Sequence, residues 1–167
     1  MKHLENRRAR SLILLTLGVA VVFGLSPAMS QERGRCATTE LPGHLILPDG
    51  TVHEAGEIKI CFEGWLWPGT GRHAIHVNGQ IWGYLMSRSG RAESEERRAE
   101  TPLLVFTPRT EFNHVRLIGY AWPTRDGMQT HVLHQPGKKL SKTFADASRL
   151  LERAEEEQLY LAAGRFE

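Results

Sequence analysis

The chain has 167 residues, 41% hydrophobic and 24% charged, and a formal net charge of +2. Removing residues 1–30 takes away four of the 21 basic and one of the 19 acidic side chains, which leaves 17 against 18 and a net charge of −1. A near-neutral chain of this size has room for one domain with a real core but offers no global field to attract nucleic acid or anionic lipid, which excludes the electrostatically driven binding classes.

Residues 1–30 read as a secretory signal peptide. Lys2, Arg7, Arg8 and Arg10 make a basic start, residues 11–25 form an apolar run, and Ala28 and Ser30 are small residues ahead of a cut near Gln31. The apolar run is shorter than the roughly 20 residues that span a bilayer, and no stop-transfer pattern follows, so membrane contact is expected only through this segment if it is retained. The paired arginines at Arg7 and Arg8 raise twin-arginine export, but the polar Arg10 and Ser11 stand where that signal wants apolar residues. The expected location is therefore exported, periplasmic or secreted.

Residues 31–142 read as a β-rich domain. Cys36 and Cys61 lack a Cys-x-x-Cys arrangement and are expected to form one disulfide in an oxidising compartment, tying a strandless segment (residues 31–40) to the first hairpin. Asp49-Gly50 signals a two-residue turn that would set Leu47 opposite Val52. Glu57–Phe62 alternates, with Ile58, Ile60 and Phe62 on one face. In the stretch from Cys61 to Arg72, Trp65 and Trp67 fall in a Gly- and Pro-containing connection. With Arg72 they are the candidate ligand-binding residues, since a Trp face can stack on a ligand and its edge can donate a hydrogen bond. Such tryptophans also fold back to cap a β core.

Asn78-Gly79 predicts a type I′ hairpin in which His76 faces Ile81, Ile75 faces Trp82, Ala74 faces Gly83 and His73 faces Tyr84. One face would then carry Ile75, Val77 and Trp82 and the other Ala74, Ile81, Gly83 and Leu85, so both faces need cover. The spacing of His73 and His76 puts them on opposite sides of a strand, and the same holds for His131 and His134, so neither pair chelates a metal. Residues 90–101 are charged with alternating sign and read as a solvated excursion. Residues 101–108 and 114–122 form a strand pair, and residues 128–135 a final strand.

From Thr143 on, Phe144, Ala147, Leu150, Leu151, Ala154, Leu161 and Ala162 define one stripe, predicting an amphipathic helix over 143–164 capped near Thr143 and Asp146 and stopped at Gly164. Its acidic polar face argues against a membrane surface and favours packing on its own sheet or a partner.

The fold expected is mainly β: an antiparallel β-sandwich or partly open barrel of six to seven strands with one C-terminal helix. The chain carries no Gly-x-Ser-x-Gly, His-Glu-x-x-His, Gly-x-x-x-x-Gly-Lys or Gly-x-Gly-x-x-Gly motif, so no catalytic residue, metal or cofactor is assigned. The role expected is non-catalytic recognition of a protein or envelope-associated ligand. The rival reading is a small periplasmic enzyme or metal-binding protein using histidines from separate strands.

Overall fold

The computed structural model describes residues 34–47, 50–92, 100–125, 127–138 and 142–167. The expected signal peptide, residues 93–99 of the charged stretch and part of the Asp49-Gly50 turn lie outside the described residues.

The strands are β1 (Cys36–Glu40), β2 (His44–Ile46), β3 (Val52–His53), β4 (Glu57–Trp67), β5 (Thr70–Val77), β6 (Gln80–Ala92), β7 (Leu103–Phe106), β8 (His114–Val115), β9 (Leu117–Thr124), β10 (Gly127–His134), β11 (Tyr160–Ala163) and β12 (Arg165–Phe166). Among the described residues one α-helix, α1 (Leu150–Glu156), follows short 3-10 turns at Lys142–Phe144 and Ala147–Arg149. Among the described residues, nine strands form one sheet in the order β11-β7-β9-β10-β6-β5-β4-β1-β12. Every pairing in it is antiparallel.

The first and last strands of that order are separated in the chain by Gly164 alone. Tyr160 pairs with Phe106 while Phe166 pairs with Ala37, so a single C-terminal stretch serves both edges and bends the sheet into a nearly closed barrel. Thr39 Oγ1 donates to the Ala163 carbonyl at 2.8 Å and the Gly164 N–H donates to the Pro102 carbonyl at 2.7 Å, holding the seam. The mainly β, antiparallel architecture with a C-terminal helix is as expected, and the barrel is the form it takes.

Alternation fills the interior. Ile58, Ile60 and Phe62 of β4 point inward and meet Ile75, Val77, Leu85, Leu104, Phe106, Tyr120, Trp122 and Leu133, all buried. A small sheet, β3-β2-β8, adds Leu45, Leu47 and Val115 to this core at the end where β4 and β9 begin. In that sheet Val52 pairs with Ile46 rather than Leu47, while the Leu47 N–H donates to the Thr51 carbonyl.

The hairpin turn has the expected geometry, with φ of 50° at Asn78 and 77° at Gly79. Val77 pairs with Gln80 and His76 with Ile81, but a β-bulge at Trp82 then shifts the register, so Ile75 pairs with Gly83, Ala74 with Tyr84 and His73 with Leu85. The shift turns Leu85 inward beside Ile75, against the expected division of faces. Two apolar faces gave no preference in the sequence, and the barrel interior selects one.

Residues 36–40 are not strandless. They form β1, in which Cys36 lies directly opposite Cys61 and the two are disulfide-bonded. The bond staples neighbouring strands and fits an oxidising location.

The helix is shorter than 143–164. Asp146 caps the 3-10 turn, accepting from the Ser148 N–H at 3.0 Å, and α1 ends near Gln158, whose φ is 53°. Ala147, Leu150, Leu151 and Ala154 cover Val105, Ala121, Met128 and Val132 on the outside of the barrel. Leu161 and Ala162 fit the helical stripe but lie in β11, because the open edge of β7 offers backbone partners that outweigh two more turns of helix. Replacing both cysteines by serine should lower stability by about 3 kcal/mol in the chain-entropy model, read as a lower urea midpoint with an intact far-ultraviolet β spectrum.

Candidate functional site

The inward face of β4 changes hands at Gly64. Phe62 and Trp65 are three positions apart, which in a regular strand would point them to opposite sides. A bulge between Phe62 and Gly64, where φ reaches 149°, restores the inward direction for Trp65 opposite Gly71. Trp65 packs edge-on against Phe62 at 5.0 Å and stacks on His131 at 6.0 Å. Leu66 and Trp67, at the end of the strand, are 47% and 55% exposed. Arg72 points outward, over the Tyr84 ring at 4.1 Å and 3.1 Å from Glu63 Oε2. The three nominated residues thus occupy three places: Trp65 inside, Trp67 at the rim and Arg72 on the outer wall. None is in a loop, because β4 runs on to Trp67 and Arg72 lies in β5.

Beneath Trp65 lies a cluster that the sequence did not single out. His73 of β5, Ser87 of β6, Tyr120 of β9 and His131 of β10 are fully buried. Tyr120 Oη lies 3.0 Å from His73 Nδ1, His73 Nε2 lies 2.7 Å from Ser87 Oγ, and Ser87 Oγ lies 3.2 Å from His131 Nδ1. Tyr120 stacks on His131 at 4.7 Å, and Trp122 meets Tyr120 at 4.8 Å. Each of four strands sends one polar side chain to this chain of hydrogen bonds.

Burial holds His131 down to a pKa of about 3. Burial, with the neighbouring His131 second, also holds His73 well below the ordinary imidazole value. Both rings are therefore neutral, each with one donor and one acceptor nitrogen. The chain has two self-consistent polarities, one in which protons point from Tyr120 towards His131 and one in reverse. His131 Nε2 and Trp122 Nε1 have no hydrogen-bond partner among the described residues.

Of each expected pair, the first histidine faces in and the second out: His73 and His131 are buried, while His76 and His134 are half-buried. His73 and His131, from separate strands, approach to 5.3 Å between ring centres. Among the described residues no third metal-binding side chain joins them, so a zinc ion would lack the three or four protein ligands its sites use. Ser87 beside His73, with Tyr120 behind, has the spacing of a nucleophile, a base and its orienting group. The serine is enclosed, however, and Trp65 lies over the cluster.

Gly71 makes the cluster fit. A Cβ there would meet Phe62 Cε2 at 2.7 Å, His73 Nε2 at 3.0 Å and Ser87 Oγ at 3.1 Å. Gly71→Ala should cost about 1–3 kcal/mol by overpacking, seen as a lower melting temperature. The imidazoles also set a pH dependence. Their folded pKa values lie below the unfolded value of 6.5, so the unfolded chain binds more protons as pH falls below it. Stability should be level with respect to these groups above about pH 6.5 and fall below it, for His131 down to about pH 3, each histidine adding a slope of about 1.4 kcal/mol per pH unit within its window. Replacing His131 by Phe should flatten that slope in urea titrations run at successive pH values.

Compared with protein-family models, curated proteins and solved structures, the chain matches none.

Proposed function

We propose that this chain is an exported, non-catalytic recognition barrel, acting in the periplasm or outside the cell, that holds a protein or envelope-associated ligand against the end of the β4–β5 hairpin. The observation that carries the reading is the pairing of Trp65 with Trp67. Trp65 is anchored on Phe62 and His131, and two residues on Trp67 presents its ring to solvent beside exposed Leu66. A large apolar side chain on a strand held from beneath loses little conformational freedom on binding, the property of an interface anchor. The disulfide between paired strands supports an oxidising site of action.

The contact of 2.7 Å between Ser87 and His73 favours a second reading, acyl transfer from a serine nucleophile. It requires Trp65 to move aside, since Ser87 is buried.

Immobilised wild-type protein, Trp67→Ala and Phe112→Ala, each exposed to the same envelope extract, distinguish the two. Phe112 is also exposed and serves as the control. Components retained by the wild type should fall about tenfold or more on Trp67→Ala and persist on Phe112→Ala. Equal retention by all three overturns the recognition reading, and labelling of Ser87 by a fluorophosphonate, lost in His73→Gln, establishes the second.

A further inference from the structure

At the other end of the barrel from Trp67, the wall opens. β10 stays paired with β6 as far as His134, but its ladder with β9 stops where Val132 meets Gly119. Leu117 and Ile118 therefore continue beside β7 with no β10 partner. Between this parting and the small sheet lies a cavity of about 260 Å³. Its apolar lining includes Leu47, Ile75, Leu85, Leu117 and Ile118. Ile75 and Leu85 are buried residues of the barrel core, so the floor of the cavity is the core itself.

Among the described residues the lining has one charged group. Arg116 is exposed at the rim, and the ion pairs of the described residues do not include it. An unpaired guanidinium beside an apolar hole selects for a ligand with two unlike ends. The fork of donors suits a planar carboxylate, and the aliphatic lining suits a hydrocarbon. The volume is a little below the roughly 300–1,000 Å³ of pockets that take drug-sized molecules, which limits the apolar part to a slender tail.

We propose that this cavity is a binding site for a small amphipathic carboxylate, its single unbranched tail inserted towards Ile75 and Leu85 and its head group held by Arg116. The site is independent of the rim at Trp67 and stands whether or not that rim binds a partner.

Isothermal titration of the purified protein with octanoate, acetate and octylammonium, all below micellar concentration, tests it. Octanoate should saturate one site per chain. Acetate, which lacks the tail, and octylammonium, which reverses the charge, should each bind about tenfold more weakly or not at all. Arg116→Gln should weaken octanoate about tenfold. Ile46→Trp, at a half-buried lining position, should fill the cavity and remove octanoate binding, with circular dichroism confirming that the barrel persists. Absence of octanoate binding, equal binding of octanoate and octylammonium, or octanoate binding indifferent to Arg116→Gln overturns the proposal. The three-ligand comparison on the wild type stands even if a variant fails to fold.

Discussion

Residues 160–166 supply backbone partners to both edges of the main sheet, and much else follows from that. Without them β7 and β1 would present rows of unpaired N–H and C=O groups, a template for pairing with other chains. With them the sheet curls upon itself, and Lys59 with Glu167 and Arg165 with Glu57, each at 2.6 Å, tie the C-terminal end to β4 over β1. These exposed ion pairs contribute little alone. The ladder hydrogen bonds and the burial of Ala37, Leu104 and Ala162 carry the closure.

The interior of this nearly closed barrel is filled largely by its own side chains, and most of the filling is apolar. The exception is the Tyr120–His73–Ser87–His131 chain. In a poorly screened interior a polar group left without a partner is costly, while a satisfied network polarises and strengthens its members. Because β5, β6, β9 and β10 each contribute one residue, a slip of one position in any of them would carry its polar group outside and strand the others. The cluster therefore specifies register as well as occupying space. The bulges at Trp82 and Gly64 serve the same end, bringing Leu85, Ser87 and Trp65 to the interior face.

Much of the architecture was legible in local pattern. Ile58, Ile60 and Phe62 announce their buried face by alternation, Asn78-Gly79 announces its turn, and the runs at 101–108 and 114–122 announce a pair of strands that do meet. The disulfide followed from two cysteines without a Cys-x-x-Cys spacing in a chain expected to be exported. What escaped depended on contacts between distant segments. A bulge is a one-residue accommodation between partner strands, invisible in either strand by itself. Leu161 and Ala162 suit a helical stripe and a strand equally well, and the vacant edge of β7 decided between them. The polar cluster was hidden for a related reason: spacing separated each histidine from its near neighbour, but only the strand order brings His73 to His131. Trp65 and Trp67 stand out as a pair in the sequence, yet Gly64 sets their different surroundings.

The location of the seam has a kinetic meaning too. The segment that completes the cylinder is made after every other strand, and its partners at β1 lie more than a hundred positions earlier in the chain. Long-range pairing of this kind is slow to nucleate and gains little until most of the polypeptide is present. The ladder from β7 through to β1 can therefore assemble from pairings closer in sequence, while closure of the cylinder waits for residues 160–166 to meet both of its edges.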